Sequence, residues 1–161
     1  VEYLGRGYEG FSDEIQRIFD WMNRRVRTMP KEFECVTMRP WDNFFWWLEA
    51  HDLPDKSMVA PVNWPPPRNT RPFVLRSRIA TGNKVQVEAR SGGATVWLAP
   101  EFVDFNQPIT VELNRRSITP DGVEPSLSVL LEDARTRADR QHPFWARVDS
   151  APDTRGDFTT R

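Results

Sequence analysis

Residue types that carry catalytic or metal-binding chemistry are scarce in this sequence. Of its 161 residues, one is a cysteine, Cys35, and two are histidines, His51 and His142. A single cysteine excludes an internal disulfide and a cysteine-based zinc site. The two histidines stand in unrelated surroundings, a polar loop and the end of a predicted helix, where surface or capping roles are typical. Because the Gly-x-Ser-x-Gly motif of a serine nucleophile is also missing, we predict no catalytic residue, no metal site and no cofactor.

Long apolar runs and clustered basic residues are missing as well. No stretch of about 18 apolar residues occurs, so no membrane span is expected. The 22 Lys and Arg residues nearly balance the 23 Asp and Glu residues, and they form no basic stripe, so no nucleic-acid partner is expected. The sequence begins at Val1, and we interpret it as a fragment of a longer protein. The compartment of that parent protein, including export from the cell, stays open.

Aromatic residues and prolines, by contrast, are abundant. Seven Trp and ten Phe predict an aromatic-rich core or interface, and fourteen Pro argue against an all-helical fold. From about residue 29 to residue 118, short alternating segments and turn signals follow each other at intervals typical of a β-sandwich. Strands are predicted at 44–48 and at 57–62. The Gly82-Asn83 pair indicates a hairpin turn with a positive φ at Gly82.

A helix is predicted at each end of these strands. Ser12 is a natural N-cap for a helix over residues 12–27, whose apolar stripe consists of Ile15, Ile18, Phe19 and Met22. This stripe is expected to dock on the outer face of the 44–48 strand, with residues 1–10 either loosely held or recruited into a homodimer contact. The second helix is predicted to bury the stripe Leu127, Leu130, Leu131, Ala134 and Ala138. The predicted fold is therefore α+β, a small antiparallel β-sandwich flanked by an N-terminal and a C-terminal helix.

The start of the chain resembles a known enzyme family. Residues 1–4 are interpreted as a strand end, and the loop at 5–10 leads into the predicted helix. This order of strand, loop and helix resembles the last strand and last helix of an α/β-hydrolase of the dienelactone-hydrolase or prolyl-peptidase type. Segments 97–105 and 108–114 are similar to the β-sandwich appended behind the hydrolase domain in some large bacterial predicted peptidases and esterases.

The resemblance implies a division of the chain. Residues 1–28 would be the end of a truncated hydrolase domain, residues 29–150 an accessory β-sandwich with its C-terminal helix, and residues 151–161 a frayed tail. In the family, the loop after the last strand carries the catalytic histidine, and the matching position here is Tyr8. Tyrosine, with a pKa of about 10, is a poor base at neutral pH. The parent is therefore either a degenerate hydrolase or a hydrolase whose histidine lies elsewhere.

Aromatic residues supply the candidate binding or interface surface. The candidates are Trp41, Phe45, Trp47, Trp64 and Trp97. In a strand over 44–48, Trp46 and Trp47 would point to opposite faces, and we predict that both are largely buried. One face would fill the core, and the other would meet the 12–27 helix or the hydrolase body.

The resemblance implies a non-catalytic C-terminal accessory domain of a bacterial serine hydrolase of the peptidase or esterase type. Its expected partner is the hydrolase catalytic domain of the same parent chain. The alternative is a carbohydrate- or peptide-binding β-sandwich module that uses surface aromatics. Exposure of the tryptophan side chains discriminates between the two hypotheses.

Overall fold

The computed structural model describes residues 12–150 except residues 26, 121 and 140. The predicted strand at 1–4, Tyr8 and the tail at 151–161 therefore lie outside the described residues. The described residues form two α-helices, α1 (Ile15–Asn23) and α2 (Leu127–Arg137). The strands are β1 (Glu32–Thr37), β2 (Phe44–Phe45), β3 (Leu48–His51), β4 (Phe73–Ala80), β5 (Lys84–Ala89), β6 (Gly93–Leu98), β7 (Thr110–Leu113), β8 (Arg116–Ser117) and β9 (Ala146–Asp149).

The strands form two sheets. One has five strands in the order β1-β4-β5-β7-β8, and the other has four in the order β2-β3-β6-β9. All pairs are antiparallel except β5 and β7, which are parallel because the chain visits the other sheet as β6 between them. The predicted α+β class is confirmed in this form, with mostly antiparallel sheets.

Both sheets contribute to one buried apolar cluster. Alternation along β5 places Val85, Val87 and Ala89 inside, and each is at most 2% exposed. In β6 both faces are buried: Val96 belongs to the apolar face shared with β3 and β9, and Trp97 lies on the opposite face. A strand covered on both sides needs apolar residues at successive positions, which is what β6 has.

The outer face of the five-stranded sheet is charged. Arg76 on β4 lies between Glu34 on β1 and Glu88 on β5 in the register, and it forms an ion pair with Glu34. Hydrogen bonds from Lys84 and then Gln86 lower the pKa of Glu112 on this face. Side chains of opposite charge on neighbouring strands stabilise a sheet face that is exposed to water.

Two turns of the five-stranded sheet have successive residues with positive φ. Gly82 has a φ of 75° and Asn83 a φ of 59°, which confirms the positive φ predicted for the β4–β5 hairpin. Asn114 and Arg115 have φ values of 50° and 67° between β7 and β8. Positive φ at both central residues is the signature of a type I′ turn, so Arg115 takes the conformation that glycine usually supplies.

The prediction of one strand over 44–48 is wrong. The chain instead reverses at Trp46-Trp47, and Phe45 pairs with Leu48 in a tight hairpin. Trp46 has a φ of 56° and is 41% exposed, whereas Trp47 is fully buried. Continuous apolar character does not distinguish a strand from a hairpin, and no glycine or asparagine marks this turn. The predicted strand at 57–62 is also absent, since two 3₁₀ turns, Asp55–Ser57 and Pro61–Asn63, occupy that region.

The first helix is shorter than predicted and does not dock on the sheets. A 3₁₀ turn over Ser12–Glu14 precedes α1, and no side-chain cap is present. None of the residues of α1 is buried, and Phe19 is 53% exposed. The stripe is apolar as predicted, but the outer face of a 44–48 strand does not exist to receive it.

The second helix buries a different face from the predicted stripe. Leu127 and Leu131 are 72% and 59% exposed, whereas Asp133 is 1% exposed. The carboxylate of Asp133 accepts hydrogen bonds from the Arg137 guanidinium, at 2.7 Å for Nη2, and from the backbone N–H of Phe144 at 3.0 Å. The guanidinium of Arg137 lies 4.1 Å from the centroid of the Phe144 ring. An ion pair with further hydrogen bonds therefore determines the orientation of this helix.

The second helix is not the last element of the fold. Strand β9 follows it and pairs with β6, a strand that the sequence did not predict. Its four residues alternate as Ala146, Arg147, Val148 and Asp149, with only the two apolar ones fully buried. So short a segment after His142-Pro143 carries too little periodicity to be recognised.

Trp47→Ala should destabilise the fold strongly, whereas Trp46→Ala should leave its stability almost unchanged. Truncating the buried Trp47 leaves a cavity and should lower the free energy of unfolding by about 3–5 kcal/mol. Trp46→Ala removes an exposed side chain and should change it by about 0.5 kcal/mol or less. Urea unfolding of both variants compares two adjacent tryptophans directly. Equal losses would contradict the hairpin.

Asp133→Ala should destabilise the fold more than the removal of both ionic partners. The single substitution removes the carboxylate that accepts two hydrogen bonds from Arg137, leaves Arg137 with the more distant Asp139 carboxylate at 3.7 Å, and should cost about 3 kcal/mol or more. The double variant Asp133→Ala/Arg137→Leu also removes this weakly paired charge and should recover part of that loss. Chemical unfolding of the two variants measures the difference. A single variant as stable as the wild type would show that the carboxylate does not orient α2.

Candidate functional site

The five candidate aromatic residues separate into two groups. Trp47 and Trp97 are 0% and 4% exposed and belong to the core, and the partly buried Phe45 packs against that core. Trp41 and Trp64 are 62% and 65% exposed. The structure therefore leaves two of the five side chains as a surface for a partner.

The buried tryptophans have well-defined surroundings. The indole N–H of Trp47 donates to the carbonyl of Pro30 at 3.0 Å, and its ring meets Phe33 edge to face at 5.1 Å. The ring of Trp97 packs against Phe144 at 5.9 Å between centroids. Within the described chain, the indole N–H of Trp97 has no hydrogen-bond partner. Both rings thus contribute to packing.

Trp41 and Trp64 line one surface groove of about 940 Å³. Its apolar wall includes Val36, Trp41, Val59, Pro61, Trp64 and Pro72. Thr37, Arg39 and Asp42 supply polar groups to the same groove. An apolar, proline-bordered groove with two exposed indoles is the kind of surface that other proteins bury at an interface.

The loop that follows β1 positions Trp41. Thr37 is 5% exposed, and its Oγ1 accepts a hydrogen bond from the backbone N–H of Arg39 at 3.0 Å. The same hydroxyl donates to Asp42 Oδ2 at 3.3 Å, and the N–H of Asp42 donates to the carbonyl of Arg39. The threonine side chain thereby ties both ends of the turn that carries Trp41.

A proline-rich segment positions Trp64. The 3₁₀ turn Pro61–Asn63 ends where the N–H of Trp64 donates to the carbonyl of Pro61 at 3.2 Å, and the Trp64–Pro65 peptide bond is cis. The N–H of Val59 donates to the carbonyl of Met38 at 2.7 Å. This bond joins the two segments that form the groove, so its two tryptophans sit on connected supports.

A cysteine lies behind the groove but is poorly suited to nucleophilic chemistry. The side chain of Cys35 is partly buried on the inner face of β1. Burial and then the nearby Asp42 carboxylate raise the pKa of the Cys35 thiol. The thiolate is the reactive form, so this thiol is less reactive than a free one at neutral pH.

Both histidines lie outside the groove and contact other polar side chains. His51 Nε2 is 2.7 Å from Thr95 Oγ1, and that hydroxyl donates to Asp149. His142 Nδ1 is 2.8 Å from a carboxylate oxygen of Glu101. In the part of the chain that the structure describes, no group of three or more His, Cys, Asp or Glu side chains could hold a metal ion.

Sequence reasoning missed most of the groove apart from its tryptophans. Val36 points outward from β1 and is 56% exposed, but nothing in the sequence pattern placed it beside Val59 and Pro72. The proline-rich stretch at 64–67 signalled an irregular crossing, and a wall of a groove is one use of such a segment. The contact between the two segments is tertiary and leaves no local signal.

Alkylation of Cys35 should require a higher pH in the folded chain than in the unfolded chain. Because burial and Asp42 disfavour the thiolate, the midpoint of the rate profile with iodoacetamide should fall when the chain is unfolded in urea. Asp42→Asn removes one of the two causes and should lower the midpoint of the folded chain. Identical midpoints in the folded and unfolded chains would contradict this environment for Cys35.

Comparison of the chain with protein-family models, with curated proteins and with solved structures found no match. None of the described helices is long and apolar enough to cross a membrane. The groove and its surroundings are therefore the basis for a functional proposal.

Proposed function

We propose that this chain is a non-catalytic protein-binding module whose Trp41–Trp64 groove docks on another polypeptide. The observation that carries the proposal is the pairing of two indoles, 62% and 65% exposed, on the walls of one groove. Exposed tryptophan side chains cost free energy in water and are enriched among the residues that dominate binding.

We also propose that the two sheets pack face to face as a β-sandwich. Residues of both sheets, such as Leu75 on β4 and Val96 on β6, belong to the same buried cluster. Each of the two sheets contributes apolar residues to this cluster, as the facing sheets of a sandwich do. In this arrangement the groove lies where β1 leaves its sheet, outside the shared core.

A binding role also fits the energetics of the groove. Each tryptophan buries roughly 150–250 Å² when fully covered, so two of them supply a large part of a small interface. Their supports are connected through Val59 and Met38, which limits the ordering that binding would have to impose. The raised pKa of the Cys35 thiol argues against covalent catalysis at this position.

The partner that we favour is the hydrolase catalytic domain of the same parent chain. The support for it is the resemblance of segments 97–105 and 108–114 to accessory domains of bacterial hydrolases. In that setting the groove would pack on the hydrolase surface, and this chain would contribute no reacting group.

Carbohydrate binding is the second candidate. Two exposed indoles beside Arg39 and Asp42 combine apolar faces with hydrogen-bonding groups, as a sugar site needs. However, Asp42 already accepts a hydrogen bond from Thr37 within the loop. The apolar wall, with its two bordering prolines, therefore favours a polypeptide.

Peptide selection against groove variants tests the proposal. A random dodecapeptide library displayed on phage is selected on the wild-type chain and counter-selected on the Trp41→Ala/Trp64→Ala variant. Peptides that survive should bind the wild type at least about tenfold more tightly than the double variant by fluorescence polarisation, because one hot-spot residue is worth about 1.4 kcal/mol or more.

Trp46→Ala is the matched control for this experiment. It removes a tryptophan that is 41% exposed but lies outside the groove, so peptide affinity should stay unchanged. Cellohexaose and chitohexaose are titrated in parallel, with tryptophan emission as the signal. If a sugar quenches the emission and this quenching requires Trp41 and Trp64, while no groove-dependent peptide is found, the carbohydrate candidate would replace the proposal. No response in either arm would refute both.

A further inference from the structure

Strand β1 is an edge of the five-stranded sheet. Among the residues that the structure describes, its only strand partner is β4, and the register runs from Glu32 opposite Arg78 to Thr37 opposite Phe73. An edge strand presents a row of backbone donors and acceptors to which another extended segment can pair. This edge leads directly to the groove, because Val36 near its end is also part of the apolar wall.

The register identifies which backbone groups point away from the sheet. The N–H of Ile79 donates to the carbonyl of Lys31 at 2.7 Å, so these two residues form a hydrogen-bonded pair. Such pairs recur at every second residue of an antiparallel ladder. Phe33 and Cys35 therefore face β4 with their backbone groups. Glu32, Glu34 and Val36 direct theirs toward the free edge.

The free edge ends where the groove begins. The carbonyl of Met38 accepts a hydrogen bond from the N–H of Val59, so the chain covers the edge beyond Thr37. A strand added along Glu32 to Val36 must leave the sheet at that point. The apolar wall that includes Val36 and Trp41 then lies directly ahead of it.

The charges along the edge specify the chemistry of the added strand. Glu32 and Glu34 are exposed on the outer face, and Val36 is the third outward side chain. Opposite charges in facing positions of two strands stabilise the pair, and like charges destabilise it. A second copy of β1 paired antiparallel about Glu34 would place two glutamates opposite each other. The edge is thus complementary to a basic strand and not to itself.

We propose that an extended segment with alternating basic residues adds to β1 as a sixth strand and inserts its apolar end into the Trp41–Trp64 groove. The inference rests on the proposed function and specifies the partner of the same groove. The favoured direction is antiparallel, since antiparallel pairs are slightly more stable for each residue. The partner would then place an apolar residue opposite Val36 and two basic residues opposite Glu34 and Glu32, in that order along its chain.

A peptide probe with selective backbone methylation tests strand addition. The probe is acetyl-Leu-Leu-Thr-Val-Thr-Lys-Thr-Lys-Thr-amide, fluorescently labelled. In the proposed register, the amides of its valine and two lysines face β1. Methylation of these three amides should weaken binding at least about tenfold, because their hydrogen bonds are lost. As the control, the amides of the three threonines that adjoin a lysine are methylated instead. The affinity should then stay within about twofold, because these amides point away from β1.

Charge reversal on the protein tests the basic specificity. Glu32→Lys should weaken binding of the lysine peptide at least about threefold and should strengthen binding of the peptide in which glutamate replaces lysine. The matched control is Glu88→Lys, which changes the net charge equally on the same outer face but lies on an inner strand. It should change both affinities by less than about twofold. Thermal melting confirms that both variants are folded.

Different outcomes separate the failure of this inference from the failure of the proposed function. Loss of affinity in Trp41→Ala/Trp64→Ala together with equal effects of both methylation patterns would leave the groove as a binding site and overturn strand addition. No measurable binding of the lysine peptide, with groove-dependent peptides still recovered from the library, would also overturn strand addition and identify Glu32 and Glu34 as protection of the edge.

Discussion

The buried carboxylate of Asp133 holds one layer of this molecule in place. It orients Arg137 and fixes the backbone of Phe144. The Phe144 ring in turn packs against Trp97 on β6. Without that cover, the face of β6 that carries Trp97 would meet water. A charged residue on α2 therefore helps to bury both faces of β6, an inner strand of the four-stranded sheet, and it does so with hydrogen bonds that specify one orientation of the helix.

The groove also depends on hydrogen bonds made by a buried polar side chain. Thr37 is inside the fold, and its hydroxyl bonds to both ends of the loop that carries Trp41. The bond from Val59 to Met38 attaches the segment that carries Trp64. Two exposed tryptophans are thus held by polar contacts close to the core. A surface of this kind has a fixed shape before it meets a partner, which reduces the entropy that binding costs.

The sequence predicted those parts of the fold that local pattern determines. Alternating segments indicated a fold rich in short strands, and turn chemistry identified the reversal at Gly82. The prediction failed where the same sequence pattern fits two different structures. The apolar run at 44–48 suits a strand and a hairpin equally, and only the tertiary environment of Trp47 selects the hairpin. On α2, counting apolar residues favoured the leucine stripe, because a buried aspartate is invisible without its partners Arg137 and Phe144.

The candidate site was only partly predictable for the same reason. Composition indicated that tryptophans would matter, and Trp41 and Trp64 were among the candidates. Their exposure depends on a contact between Val59 and Met38, which are separated by a long stretch of chain. The free edge of β1 depends on the strand order of the whole sheet. Both the contact and the strand order involve residues that are distant in sequence, so the periodicity of a short segment could not predict them.

The late position of β9 has a consequence for the speed of folding. Thr95 on β6 bonds to Asp149 on β9 across 54 residues of chain. The parallel pairing of β5 with β7 adds a further non-local contact that spans all of β6. Folds dominated by such distant pairings have high contact order and fold in roughly milliseconds to seconds. Until β9 arrives, one edge of β6 is open and strongly apolar. An unpaired apolar edge is a site for association with other chains, and the pairing of β9 closes this one.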